Sequence, residues 1–381
     1  MKALIVGCGI GGPATAMALR NVGVDAEIFE AYPESAEGVG AFLNVASNGL
    51  DALRVLGAHR QVMAAGVPTP HMVMWSGTGK RLGQVANGLA LDDGTVSHTI
   101  LRSDLYRIVR DEALAQGVAI TYGKRLVGFD DTGDQVVAHF EDGTQAAGDI
   151  LVAADGVHSR TRALLDPGAP RPRYSGLYSL GGIVRNSGVT GTPGVYNMIF
   201  GKRAFFGYTV THGGDAWWFA NLPRELGDVP ADWKAALLEA FADDAGPATE
   251  LIRRGPVGDG LPVHDLPPLP AWHRGRVVLT GDAAHATSPS AGQGASLAIE
   301  DAIVLARCLR DASGHREAFE RFEAERRGRV ERVVAYSRTI SNGKAAGPVA
   351  RVFRDLALPF FLKKTASQES LAWMYRHHVA L

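Results

Sequence analysis

The chain of 381 residues is long enough to bury a large core and to divide into two or three domains. Lys and Arg (39) nearly cancel Asp and Glu (40), so no overall field gathers nucleic acid or an anionic membrane, and function has to reside in local sites. The two cysteines, Cys8 and Cys308, stand in apolar surroundings without metal-ligand spacing, which excludes a disulfide framework and favours a reducing compartment.

Met1 and Lys2 lead directly into an apolar strand, leaving no room for a signal peptide, and no apolar run is long enough to cross a bilayer. A cytoplasmic protein is therefore expected. Residues 3 to 6 read as a buried strand that runs into Gly7-Cys8-Gly9-Ile10-Gly11-Gly12, a G-x-G-x-x-G pattern at Gly7, Gly9 and Gly12. Pro13 falls in the first turn of the following helix, where its missing N–H does no harm. Gly23 is a natural left-handed stop, and a second strand from Val24 to Phe29 ends in Glu30. A carboxylate there can accept hydrogen bonds from both ribose hydroxyls, and it argues against a 2′-phosphate. The eighteen positions from Gly12 to Glu30 suit a site for the ADP half of FAD or NAD(P).

Glycines recur at Gly38 and Gly40, followed by Asn44 and a short amphipathic helix with Leu50, Leu53 and Leu56 inward and Gly57 as its stop. From Val67 to Thr99 the sequence is strand-like and irregular, a first excursion into a second domain. The helical period returns at Leu101-Arg102-Ser103-Asp104, with Ser103 as the expected N-cap. Strands are expected over Val118 to Phe129, Gln135 to Phe140 and Thr144 to Leu151, the last two joined at Glu141-Asp142-Gly143. They deliver Ala154-Asp155-Gly156, with Ser159 and Arg162 a few positions on.

Between Arg171 and Arg274 the period is close to two, with strands expected over Leu177 to Val184, Val195 to Phe200, Ala204 to Thr211 and Ala216 to Asn221. An antiparallel sheet inserted in a nucleotide fold can cover a substrate, and its aromatic residues alternate between the ligand side and the sheet core. Arg185, Phe206, Tyr208 and Trp218, together with Asn44, are the candidate substrate contacts. A helix from Asp232 to Ala242 and the Pro-rich stretch Leu266 to Pro270 bring the chain back.

Val277, Val278 and Leu279 then form a strand that delivers Gly281-Asp282-Ala283-Ala284-His285. Through Pro289 and Gly292-Gln293-Gly294 it opens a helix with Ile299, Ala302, Ile303, Ala306 and Leu309 inward. The glycines admit a ligand close to the backbone, and the positive helix end favours an anion. An aspartate beside that loop suits a hydroxyl-bearing ribityl or ribose chain rather than phosphate. A charged helix from Arg316 to Arg338 follows, with Glu317…Arg321 and Glu323…Arg327 facing solvent. The tail, Val349 to Arg354 and Leu356 to Leu362, can pack on the body, meet another subunit or lie on a membrane surface. His377 and His378 are adjacent rather than one helical turn apart, and no metal site is expected.

Three stretches together, the N-terminal fingerprint, Ala154-Asp155-Gly156…Arg162, and Gly281 to His285 with Pro289 and Gly292 to Gly294, resemble the flavin motifs of the FAD-dependent aromatic hydroxylases. These are single-component flavoprotein monooxygenases of the p-hydroxybenzoate hydroxylase type. The resemblance implies an α/β fold: a Rossmann-like FAD-binding domain (1–66, 101–168 and 276–340), an inserted antiparallel β-sheet substrate domain (67–100 and 169–275), and C-terminal helices (341–381). It implies that FAD meets Gly7, Gly9, Ile10, Gly11, Gly12 and Glu30 in the first motif, Gly40 and Arg102 beside the ring, and Asp155, Gly156 and Arg162 in the next. Asp282 would reach the ribityl side, with Pro289, Gly292, Gln293 and Gly294 at the ring. The implied reaction uses NAD(P)H as a transient co-substrate and O₂. A flavin C4a-hydroperoxide then hydroxylates or epoxidises an aromatic, polyketide-like or other electron-rich small molecule, in a monomer or homodimer. A dehydrogenase or reductase, a halogenase and a flavin-binding protein without turnover share that scaffold, although the Trp-x-Trp-x-Ile-Pro element of halogenases is absent from the sequence. No catalytic base is assigned.

Overall fold

The computed structural model describes residues 1–35, 42–344 and 369–381. Its base is a six-stranded sheet in the order His273–Arg274, Val277–Leu279, Ile150–Ala153, Lys2–Val6, Asp25–Phe29, Ala119–Thr121. All neighbours are parallel except the edge strand His273–Arg274. Parallel strands are covered on both faces, so they read as unbroken apolar runs, and Ile150, Leu151, Val152 and Ala153 are all buried. The helices Gly11–Asn21 and Gly294–Asp311 come close where their side chains are small: a Cβ on Gly11 would lie 3.5 Å from Ala298 Cβ.

A second sheet of seven strands runs Leu261–Asp265, Arg173–Val184, Ala216–Pro223, Phe205–Val210, Val195–Phe200, His71–Ser76, Arg81–Ala86. It is antiparallel except where Val195–Phe200 lies parallel to His71–Ser76, which is how the excursion after residue 67 joins the later strands. The helices Trp233–Ala240 and Ala248–Arg254 cover one face and bury Phe206, Tyr208, Trp218, Leu237, Leu251 and Ile252 in a core of its own.

Several local expectations change. The strand expected over Thr144 to Leu151 is two strands: Gln145–Gly148 joins a three-stranded sheet with Val136–Phe140 and Leu126–Asp131, while Ile150–Ala153 enters the parallel sheet. Gly148 marks the crossing, since a Cβ there would lie 2.8 Å from Leu4 Cγ. The helix expected to be capped by Ser103 starts two residues sooner, at Arg102, after an extended Leu101 that offers no side-chain cap. Phe42–Val45 is an unforeseen strand that pairs with His98–Leu101, which in turn pairs with Val67–Pro68. The helix Ala248–Arg254 was also unforeseen. The charged helix extends over His315–Lys344. Gly38, Gly40 and the tail segments 349–354 and 356–362 lie outside the described residues. The chain end returns to the body at Ala372–Tyr375, with Met374 and Tyr375 buried. Among the described residues no helix is long and apolar enough to cross a membrane, and no cluster of His, Cys, Asp and Glu could hold a metal.

The long C-terminal helix is not solvated all round. Arg326 is buried and pairs with Glu300 at 2.8 Å and Asp301 at 2.7 Å, and Arg329 pairs with Glu300 at 2.7 Å. Burial alone would raise Asp301, but His285 and Arg326 beside it bring its carboxyl down to about 2 from 3.8. Replacing Arg326 by Met leaves two buried carboxylates short of a partner and should cost about 3–5 kcal/mol. Because Asp301 titrates lower folded than unfolded, its contribution is present above pH 3.8 and fades as pH falls toward 2. Denaturant melts of both proteins across pH should therefore show the widest gap near neutrality and a narrower one in acid.

Candidate active site

The first loop lies against the end of the neighbouring strand. Gly7 has φ 103°, and a Cβ there would come within 2.5 Å of the Ala154 carbonyl oxygen; one on Gly12 would come within 2.0 Å of the Gly7 oxygen. Among the described residues a Cβ on Gly9 would meet nothing within 4 Å, so none of them crowds that side of the loop. Ile10 is the N-cap of the helix Gly11–Asn21, which has no side-chain cap and no acidic residue in its first turn. The N–H groups of Gly11 and Gly12 and the positive helix end thus suit a pyrophosphate. At the end of the next strand, Glu30 accepts the N–H of Cys8 at 2.6 Å and of Tyr32 at 3.0 Å. Those bonds fix the carboxylate and leave lone pairs for ribose hydroxyls. Cys8 itself is no nucleophile: burial pushes its thiol up to about 11.

The second loop is held from beneath. Gly281 takes φ 54° and ψ −137°, and its N–H donates to Asp301 Oδ2 at 2.9 Å. The same oxygen meets His285 Nε2 at 2.6 Å, while Arg326 Nε donates to Asp301 Oδ1 at 2.7 Å. The single helical turn Asp282–His285 that follows presents Asp282. Asp282 is open to solvent yet surrounded by enough protein that desolvation raises its carboxyl above the usual value, with His285 and Arg102 opposing. Arg102 is therefore close enough to Asp282 to act on its carboxyl.

Pro289, exposed, starts the short turn Pro289–Ala291. Two serines of the C-terminal helix pin that turn: Ser337 Oγ donates to the Ser288 carbonyl at 2.7 Å and accepts the Ala291 N–H at 3.1 Å, and Ser341 Oγ meets Ser288 and Ser290, each at 2.8 Å. Gly292 is left-handed (φ 62°), and a Cβ there would lie 3.5 Å from Asn44. Gln293 turns its side chain inward, where Oε1 accepts Asn48 Nδ2 at 3.0 Å. Its backbone forms the N-cap of Gly294–Asp311, a helix with no side-chain cap and no acid in its first turn. That helix end can face an electron-accepting ring.

In the third motif Gly156 is left-handed with nothing beyond it within 4 Å, but the two charged side chains bind inside the protein. Asp155 accepts Ser159 Oγ at 2.5 Å and the Thr161 N–H at 3.0 Å, which ties down the start of the helix Arg160–Leu165. Arg162 is buried and donates to the carbonyls of Ala283 at 2.9 Å and Val157 at 2.7 Å. It fastens the third motif to the second. The resemblance implies that these positions meet the cofactor; the side chains of Asp155 and Arg162 bond within the protein.

Opposite these loops stands the face of the seven-stranded sheet that, among the described residues, no helix covers. Asn44, beside Gly292, is two residues along its strand from Phe42, so both point the same way. Phe42 packs against Tyr196, Trp217 and Phe219, with ring centroids 6.3, 5.9 and 6.0 Å away. Asn87 Nδ2 bonds Asn44 Oδ1 at 3.0 Å and the Thr69 carbonyl at 2.8 Å, and Thr69 and Thr99 join their hydroxyls at 2.8 Å. Register places Phe205, Asn221, Phe219, Thr209 and Trp217 on this face, with Phe206, Ala220, Tyr208 and Trp218 on the other. Among the described residues Thr209 Oγ1 and Trp217 Nε1 are buried without a hydrogen-bond partner. Lys344 Nζ reaches over Phe205 and Phe219 and donates to Asn221 Oδ1 at 3.0 Å.

The candidate substrate contacts need correction accordingly. Phe206, Tyr208 and Trp218 do share a face, but it is the face under the helices, where Phe206 stacks on Trp218 at 5.6 Å. Arg185 is exposed at the end of its strand and pairs with Asp215 at 2.5 Å. Only Asn44 stands beside the loops. Sequence reading missed Phe42, Trp217, Asn221 and Lys344; the alternation of aromatic residues was visible, but not which set faced the loops.

A family model described as FAD binding domain matches residues 1–191 and 268–337. The chain is 34% identical to the aurachin C monooxygenase/isomerase of Stigmatella aurantiaca, over 88% of this chain and 88% of that protein. It is 32% identical to the 6-hydroxynicotinate 3-monooxygenase of Pseudomonas fluorescens, over 86% and 88%. Among solved structures, Klebsiella pneumoniae HpxO complexed with FAD and uric acid superposes with a TM-score of 0.83 at 28% identity, covering 94% of this chain and 93% of that one.

Loss of one charge-assisted hydrogen bond is worth roughly 1.5–3 kcal/mol. Asp282→Ala and Glu30→Ala should each therefore weaken FAD retention about tenfold or more while leaving the far-ultraviolet circular dichroism unchanged. Flavin absorbance after gel filtration reads this directly, and an undiminished flavin content would remove that residue from the cofactor site.

Proposed function

This chain belongs to the FAD-dependent aromatic hydroxylases, and from that membership we propose that it is an NAD(P)H-dependent monooxygenase that places one atom of O₂ on a flat, electron-rich aromatic ring. The balance is one ring C–H and O₂ in, one C–OH and water out, with a hydride (two electrons and a proton) from NAD(P)H, leaving NAD(P)⁺, and one further proton from solvent. FAD, when bound, supplies the redox chemistry. The protein supplies binding, aim and dryness.

The observation that carries this reading is the aromatic sheet face turned toward the glycine loops. Phe42, Tyr196, Trp217 and Phe219 provide flat apolar surface against which a ring can lie and from which water is excluded. Thr209 Oγ1 and Trp217 Nε1 are buried polar atoms that, among the described residues, have no partner and can bond ring substituents. On the cofactor side, Glu30 takes the ribose, the helix start at Gly11 and Gly12 takes the pyrophosphate, and Asp282 takes the ribityl hydroxyls. The start of Gly294–Asp311 favours negative charge on the ring. The names of two relatives, one acting on 6-hydroxynicotinate and one complexed with uric acid, point to oxygen-bearing nitrogen heteroaromatics as the first substrate class to try.

The flavin-loaded protein, given NADH or NADPH and ¹⁸O₂ with a panel of such compounds, should consume reduced nicotinamide faster with a true substrate and yield a product carrying one labelled oxygen. Flavin reduction by the organic compound itself, without NAD(P)H, would replace this reading with a dehydrogenase. Trp217→Phe keeps the ring and removes the N–H, so it should raise KM about three- to tenfold, as loss of roughly one hydrogen bond predicts. An unchanged KM would take the indole N–H out of the site.

A further inference from the structure

We propose that Lys344 is the anchor that receives an anionic oxygen of the aromatic substrate. This deepens the hydroxylase reading and rests on it. Ser337, Ser341 and Lys344 follow one another at four and three residues along the helix His315–Lys344, so they share one face. The two serines grip the turn Pro289–Ala291 beside the flavin loop. One turn further on, the same face delivers an ammonium group over the loop-facing side of the seven-stranded sheet.

There Nζ lies 4.4 Å from the Phe205 ring centroid and 5.5 Å from that of Phe219. It donates one hydrogen bond to Asn221 Oδ1 at 3.0 Å, and Asn221 is itself buried and donates from Nδ2 to Ser179 at 3.3 Å. The amide therefore holds the ammonium in place, and among the described residues its other two donors have no hydrogen-bond partner. No carboxylate answers it: among the described residues Lys344 forms no ion pair, whereas Arg338 of the same helix pairs with Asp265. Burial accordingly lowers the amine to about 7, a cost that an arriving anion would offset. A lysine with no task beyond solubility would extend into water; this one is only partly exposed and is aimed along a face lined by rings. The fitting partner is an oxygen carrying full or developing negative charge on a planar ring, a carboxylate or an ionised ring hydroxyl.

The test uses the full-length, flavin-loaded protein and three probes: 6-hydroxynicotinate, 6-hydroxynicotinamide and nicotinamide. Kd is read from the perturbation of flavin absorbance in wild type, Lys344→Met and Lys344→Arg, with flavin content and thermal midpoint as controls. Lys344→Met should weaken 6-hydroxynicotinate about tenfold or more and leave nicotinamide within about twofold, and Lys344→Arg should restore most of the loss. A loss confined to the carboxylated probe assigns the carboxylate; one shared by both hydroxylated probes assigns the ring oxygen. Equal Kd values in wild type and Lys344→Met, equal weakening of all three probes, or no binding of either hydroxylated probe by a wild type that NAD(P)H reduces would each overturn the assignment while leaving the hydroxylase standing. A protein that binds no FAD would instead overturn the hydroxylase reading, and this one with it.

Discussion

The site depends on one buried carboxylate. Asp301 sits inside the helix Gly294–Asp311, and its two oxygens hold the Gly281 N–H, His285 and Arg326. Gly281 occupies a backbone conformation that a helix or strand would not supply, so without those bonds the chain has no reason to turn where it does. The turn decides where Asp282 points. Glu300, one residue earlier, takes Asn48 at 2.7 Å and Arg329 at 2.7 Å, which carries the same bracing to the helix behind Asn44. Buried ion pairs often add little net stability, because desolvation offsets their attraction. What this cluster contributes is location: three separated segments meet on one charged core.

Sequence alone made the cofactor half legible because its signals are local. The G-x-G-x-x-G loop, Glu30 at the end of the next strand and the apolar run before Gly281 each act within a few residues, and each takes the conformation its composition favours. The side chains of Asp155, Arg162 and Gln293 were less legible. A motif fixes where a residue stands, but whether its side chain turns toward a ligand or toward the frame depends on neighbours far away in sequence, such as Ala283 for Arg162 and Asn48 for Gln293.

The substrate half shows a sharper limit. Alternation said only that about half the aromatic residues face the ligand side; a period of two carries no sign, and both faces are rich in aromatic residues. What breaks the tie is the helix Ala248–Arg254, seven residues long and too short for its periodicity to stand out, lying with Trp233–Ala240 on the side of Phe206, Tyr208 and Trp218. The C-terminal helix misled in a similar way. Its charge suggested a solvated rod, and its buried polar stripe of Arg326, Ser337 and Ser341 is recognisable only once the flavin loop lies beside it.

The neighbours Trp217 and Trp218 point to opposite sides of one strand, the first toward the glycine loops and the second into the helix-covered core. Gly207 sits across from Phe219, where a Cβ would lie 2.3 Å from the ring, so a glycine leaves that ring room to lie across the sheet. Residues on the loop side can therefore change chemistry without disturbing the packing beneath, and residues beneath can hold the sheet's shape whatever compound lies above. Such a division leaves substrate preference free to drift over evolutionary time on an unaltered scaffold, with a single-residue insertion in a hairpin as the one kind of change that would exchange the two faces and lose both at once.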